Sequence, residues 1–234
     1  MTVEMVFFDA GETILHPHPS FPELFSRTCK ESGRDVEATE VHDVQSRLAP
    51  HLLELARESG VEAPSLSADA SMRFWTYLYR RFLNEFGIDD EKLARRLFEV
   101  FSDSASYRLF DDVLPVLAEL SGSGYRIGLI SNFEGWLEKL LVELEVGHLF
   151  DTSVISGVAG VEKPDPRIYE MALERAGLPG PQAVHVGDSP ALDVVPARSV
   201  GMTAVLLDRL GRYPSHDEPR IASLEDLPAV LSKF

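Results

Sequence analysis

The chain has 234 residues, with 22 Lys and Arg against 38 Asp and Glu, a formal net charge of −16. Hydrophobic residues make up 44% and charged residues 26%, the balance of a globular protein with room for a sizeable core. The acidic surplus argues against nucleic acid or an anionic membrane surface as main partner, the single Cys29 rules out an internal disulfide, and no apolar run approaches the ~20 residues of a membrane span. The first apolar run stops at Asp9 with no basic region before it, so no secretory signal is expected and the cytoplasm is the expected compartment.

Residues 3–8 form a short apolar run cut off by the polar turn Asp9-Ala10-Gly11-Glu12-Thr13, the pattern of a buried parallel strand. From about residue 20 to 105 the texture is helical. Ser20 and Glu23 have capping-box spacing with Pro22 in the first turn. Phe21, Leu24, Phe25, Thr28 and Cys29 then share one face. Leu48, Leu52, Leu55 and Ala56 mark a second helix. Met72, Trp75, Tyr79, Phe82, Leu83 and Phe86 mark a third. Asp89 or Asp90 caps a fourth, which carries Leu93, Leu97 and Phe101. Trp75, Tyr77, Tyr79 and Phe82 read as packing residues rather than a ligand box, and His16 and His18, set among prolines, read as shapers of a hinge.

Beyond residue 110 strands and helices alternate. Helix is expected over 112–120, strand over 126–130, helix over 135–144, strand over 153–155 and helix over 165–176, ended by Gly177. Strand 183–186, helix 191–200, strand 203–207 and a last helix over 224–232 follow. Arg209, Arg212 and Arg220 read as a solvated face. Such alternation implies right-handed βαβ units and a parallel sheet covered on both faces. The expected fold is therefore α/β, a Rossmann-like parallel sheet with an all-helical insertion after its first strand. Residues 1–15 and 109–234 form the core domain and 16–108 the insertion.

Ligands of an open parallel sheet bind beyond the carboxyl ends of its strands. The polar residues expected there are Asp9 and Thr13, Ser131 and Asn132, Lys163, then Asp188 with Asp193. Carboxylates gathered in one crevice repel one another unless a cation joins them, and the cation suited to oxygen ligands is Mg²⁺.

Phe8-Asp9-Ala10-Gly11-Glu12-Thr13, Ile130-Ser131-Asn132, Lys163-Pro164-Asp165 and Gly187-Asp188-Ser189 with Asp193 resemble, in order and spacing, the four motifs of the haloacid dehalogenase-like (HAD) hydrolase superfamily. The resemblance spans nearly the whole chain. Residues 131–202 resemble one vertebrate group of that superfamily, and the insertion resembles its small helical (C1-type) cap. The resemblance implies a core strand order of 3-2-1-4-5, counting core strands from the N-terminus. It also implies a phosphatase acting through an aspartyl-phosphate on Asp9, with Ser131 and Lys163 as further catalytic residues. Mg²⁺ would be held by Asp9, the Gly11 carbonyl, Asp188 and Asp193. Ala10, Gly11, Glu12, Thr13, Asn132 and Phe133 would line the substrate, a small phosphorylated metabolite. A monomer or homodimer is expected, with no nucleic-acid or membrane partner.

One departure stands out. Where phosphatases of that superfamily carry a second Asp, the general acid–base, this chain has Gly11, and Glu12 replaces the usual Gly. General acid–base help is typically worth about 10²–10⁴ in rate. Three readings stay open: Glu12 substitutes, the substrate has a good leaving group, or the protein binds a phospholigand and hydrolyses it slowly or not at all. A 2-haloacid dehalogenase also lacks that Asp, but Asp188 and Asp193 without a metal would oppose an anionic substrate. A phosphonatase would need a distinctive lysine in the insertion, and Lys30 and Lys92 have no special context.

Overall fold

A computed structural model describes residues 2–215 and 219–234. Its strands, in chain order, are β1 (Met5–Phe8), β2 (Leu15–Pro17), β3 (Tyr107–Leu109), β4 (Arg126–Ser131), β5 (Thr152–Ile155), β6 (Ala183–Gly187), β7 (Thr203–Leu207) and β8 (Arg220–Ile221). The chain divides into two compact units, Met1–Leu15 with Leu109–Phe234, and His16–Arg108.

The first unit is built on a six-stranded parallel sheet in the order β5-β4-β1-β6-β7-β8. The first five core strands follow the expected 3-2-1-4-5 order, and β8 adds an edge strand too short to leave a sequence signal. All four residues of β1 are buried, as its apolar run requires. Phe8 pairs with Leu129 on one side and Val186 on the other. That register brings Asp9, Ser131 and Asp188, which leave β1, β4 and β6, to the same edge. Met5, Phe7, Ile130, Val154, Ile168, Tyr169 and Leu206 share one buried cluster.

The helix expected over 191–200 is wound differently. Pro190–Val194 forms a π-helical turn with Ser189 as its N-cap, and Val195–Ser199 continues as α-helix. Helix Arg167–Ala176 ends on Gly177 at φ +69°, a left-handed position that glycine adopts without strain. The last helix is shorter than expected, Leu227–Leu231 after a 3₁₀ turn at Leu224–Asp226.

The second unit holds helices Phe21–Glu31, Ala38–Leu48, Leu52–Ser59, Ala68–Glu85 and Glu91–Phe101. Ser20 and Asp90 cap as expected, accepting from the N–H of Glu23 and Leu93. Helix Ala38–Leu48 was hidden in the sequence because it buries only Val41 and Val44. A capping box of Glu37 and Glu40 starts it. Leu48 ends that helix instead of opening the next, and a 3₁₀ turn at Ala49–His51 separates them. Tyr79 and Phe82 are buried with Phe25 in this unit's core, Trp75 stacks on Tyr79, and the Tyr77 hydroxyl donates to Glu58. β2 and β3 pair in a two-stranded sheet of their own.

Gly128, beside Phe7 in the register, has no room for a side chain: a Cβ there would meet the Phe7 ring and the Met5 methyl. Gly128→Val should cost about 1–3 kcal/mol through overpacking, read as a lower urea midpoint at unchanged m-value; an unshifted midpoint would count against this packing of β1 on β4.

Candidate active site

Asp9 begins the turn that ends β1, and its N–H donates to Val186 O at 2.9 Å. The turn closes on itself: the N–H groups of Thr13, Ile14 and Leu15 all donate to Ala10 O, and that of Glu12 donates to Leu15 O. Neither the N–H nor the C=O of Gly11 is used by this closure, and a Cβ at Gly11 would meet open space. Glu12 sits at φ +57°, a left-handed conformation that costs a non-glycine residue roughly 1–2 kcal/mol.

Lys163 is 3% exposed and joins two acids. Its Nζ lies 2.6 Å from Asp9 Oδ1 and 2.7 Å from Asp193 Oδ1. Asn132 places it: the carboxamide donates to Lys163 O at 2.8 Å and accepts from Lys163 N at 2.7 Å. Asp193 is held on every side. His185 Nε2 lies 2.9 Å from Oδ1, and Ser189 N–H donates to Oδ2 at 3.0 Å. Because the partner is a carboxylate, Nε2 is the protonated nitrogen of His185. Gly187 is required here, since a Cβ would run into the Asp193 carboxylate. Tyr169 packs edge-on against His185 and donates its hydroxyl to Leu192 O at 2.5 Å, tying down the π-helical turn that carries Asp193.

Carboxylate oxygens of Asp9, Asp188 and Asp193 all lie within 4.8 Å of one another. Their electrostatics differ with their partners. Burial would raise Asp193, but Lys163 and His185 overcome it and hold the carboxyl well below the usual range. Burial raises Asp9, Lys163 offsets only part of that, and Asp193 adds to it. Asp188 is pushed up to about 8 by burial and then by Asp193 and Asp9, with Arg212 opposing. Burial alone would lower Lys163, yet Asp193 and Asp9 hold it above the ordinary lysine range. This is a cluster short of positive charge.

A divalent ion fits that shortage. The contacts above use Oδ1 of Asp9, and Arg212 uses Oδ2 of Asp188, so each keeps an oxygen for a cation. Gly11 keeps its carbonyl. The donors are all oxygen, as Mg²⁺ prefers.

Asp9, Lys163, Asp188 and Asp193 therefore meet, and Ser131 ends the strand next to β1. Asn132 spends its carboxamide on the Lys163 backbone, so it holds the loop. The Thr13 and Glu12 amides are taken by the turn, leaving those of Ala10 and Gly11 as the donors nearest Asp9; the buried Thr13 hydroxyl has no partner among the described residues. Phe133 is fixed by its backbone bonds to Ser156 and its ring contact with Trp136. Of the arginines read as a solvated face, Arg220 is exposed but Arg209 and Arg212 are largely buried. Arg212 pairs with Asp188 at 3.1 Å, Arg209 forks onto Asp112 at 2.8 Å, and Arg220 pairs with Asp208 at 2.9 Å. His185, Tyr169 and Arg212 were missed as site residues. His185 had a readable signal, a histidine inside an apolar run directly before Gly187-Asp188.

A family model described as haloacid dehalogenase-like hydrolase matches residues 3–201. The chain is similar to haloacid dehalogenase-like hydrolase domain-containing protein 3 of Danio rerio, 30% identical across 98% of this chain and 96% of that one. It is similar to glyceraldehyde 3-phosphate phosphatase of Methanopyrus kandleri, 31% identical across 93% of this chain and 88% of that one. Among solved structures it resembles a 2-haloacid dehalogenase from Pseudomonas syringae pv. Tomato, with a TM-score of 0.62 at 25% identity over 99% of each chain.

The raised Asp188 gives a pH signature. A carboxyl with a raised folded pKa contributes stability that is present below its unfolded pKa and lost as pH rises through the folded one. Without divalent ions, thermal stability should fall as pH rises from 5 toward 8. Asp188→Asn should flatten that slope, and millimolar Mg²⁺ should restore at pH 8 what was lost. Melting curves check this; a wild-type slope that persists in Asp188→Asn would assign it to another group.

Proposed function

The chain belongs to the haloacid dehalogenase-like hydrolase family, and on that premise we propose that it is a phosphatase for a small phosphorylated metabolite, with Asp9 as nucleophile. The observation that carries the reading is the buried Lys163 ammonium, 2.6 Å from Asp9 and 2.7 Å from Asp193, with Asp188 close by. The similarity to a relative named for a triose phosphate supports the substrate class. Residues 1–15 and 109–234 are proposed as the catalytic domain and 16–108 as the domain that selects substrates.

In the first step a carboxylate oxygen of Asp9 attacks phosphorus, and the bond from phosphorus to the leaving oxygen breaks, giving an aspartyl-phosphate. In the second, water attacks that phosphorus, its bond to Asp9 breaks, and inorganic phosphate departs. Lys163 pairs with Asp9 before the reaction and with the phosphoryl oxygens during it. The Ser131 hydroxyl and the Gly11 N–H donate to those oxygens, acting mainly on charge that develops in the transition state. Asp193, fastened by His185 and Ser189 N–H, keeps Lys163 in place. Asp9, Asp188 and the Gly11 carbonyl would hold Mg²⁺, with Asp193 beside them but both its oxygens engaged by Lys163, His185 and Ser189; the ion would supply shielding of the carboxylates and polarisation of the phosphoryl group.

The leaving oxygen receives no proton from residue 11. Substrates whose leaving group is stable as an anion, such as acyl or aryl phosphates, are therefore favoured. The missing acid is also what a 2-haloacid dehalogenase would show, and the assay separates the two by released phosphate against released halide.

Mg²⁺-dependent hydrolysis of p-nitrophenyl phosphate should be measurable, and Asp9→Asn should lower it by about 10³ or more. Phosphate release that survives Asp9→Asn would end the reading. Gly11→Asp, for which the turn has room, should raise turnover of alkyl phosphates by ~10²-fold while aryl phosphates change less. Equal gains on both would show that leaving-group protonation is not what residue 11 lacks.

A further inference from the structure

Arg212 stands on the loop that follows β7, and that loop is built to aim it. Asp208, 2% exposed, accepts the N–H of Arg212 at 2.7 Å, the N–H of Tyr213 at 2.9 Å and a guanidinium N–H of Arg220 at 2.9 Å. One buried carboxylate thus fixes the backbone on both sides of the Arg212 Cα. The side chain is 11% exposed and donates from Nη2 to Asp188 Oδ2 at 3.1 Å. Its Nε is buried with no hydrogen-bond partner among the described residues. A guanidinium with a buried donor left unmatched is an incomplete ion pair, and such a donor costs free energy as long as it stays so.

Asp188 is also the acid of the cluster that Lys163 does not reach. Lys163 is committed to Asp9 and Asp193, so among the described residues Arg212 is the cation in contact with Asp188. A second carboxylate lies within its field. Burial raises Glu12, and the charge of Arg212 is the largest influence that opposes it, ahead of Arg209. Arg209 is otherwise engaged, forked onto Asp112 and donating to Thr13 O.

We propose that Arg212 is the resident counter-ion of the acid cluster: it holds Asp188 while no divalent ion is bound, is displaced when one binds, and so sets the cation affinity of the site. The inference rests on the divalent-ion reading above and assigns it a residue outside the recognised motifs. The physical reason is competition. A guanidinium and a dication drawn to one carboxylate repel each other at a few ångströms, and binding of the ion must overcome that repulsion or move the arginine away. Displacement does not leave Asp188 bare, because it then faces the ion. The loop backbone need not move, since its hold on Asp208 is separate from the side chain's hold on Asp188.

Titration calorimetry of the full chain with MgCl₂ at pH 8 tests this directly. Removing the competing charge with Arg212→Gln should tighten Mg²⁺ binding by about tenfold, whereas Arg212→Lys, which keeps the charge, should stay within about threefold of wild type. Unchanged or weaker binding in Arg212→Gln would overturn the proposal. Wild-type protein that takes up no Mg²⁺ is a different result and would overturn the divalent-ion reading itself. Should Arg212→Gln not fold, arginine-selective ¹⁵N NMR of the wild type decides: the Arg212 guanidinium signals should shift with the calorimetric midpoint, and signals that ignore Mg²⁺ refute displacement.

Discussion

The structure depends on one electrostatic constraint, the gathering of acids at the carboxyl edge of a parallel sheet. Asp9, Asp188 and Asp193 share a space where their oxygens lie within 4.8 Å. Such proximity is tolerable only with cations among them or with one acid holding its proton, as the raised Asp188 does. Lys163 supplies one charge, buried and shared by two acids. Arg212 supplies another, from a loop clamped by Asp208. Much of the surrounding architecture serves to hold these charges in register. Asn132 fastens the Lys163 backbone, His185 and Ser189 fasten Asp193, and Tyr169 fastens the turn on which Asp193 rides. The glycine at 187 is a consequence, because the Asp193 carboxylate occupies the volume of a side chain there.

What the sequence made legible follows from what leaves a local pattern. The strand-end acids could be read because a buried strand must be apolar and must stop, so Asp9 and Asp188 mark where β1 and β6 end. Their meeting could be read because parallel strands share an edge. Helix Ala38–Leu48 could not be read, since two buried valines make no stripe. Arg209 and Arg212 looked solvated because their partners, Asp112 and Asp188, are far off in sequence, and long-range ion pairs have no periodicity. His185 was legible in principle, as a polar residue in an otherwise apolar strand, but its purpose appears only once the π-helical turn folds Asp193 back beneath it.

The same long-range view clarifies the pair Gly11 and Glu12. By adjacency alone Glu12 looks like a displaced acid–base. At φ +57° the Cα–Cβ bond leaves the turn in a direction that a residue at Gly11, whose φ is ordinary, would not share. A side chain can act on a leaving group only if its geometry allows reach, whatever its proton affinity. Glu12 instead lies in the field of Arg212 and Arg209. Holding a non-glycine residue there costs roughly 1–2 kcal/mol, and the charges of Arg212 and Arg209 oppose the cost of burying its carboxylate. Glu12 thus adds to the balance of charge around Asp188, whatever its part in proton transfer, while Gly11 offers no acid of its own.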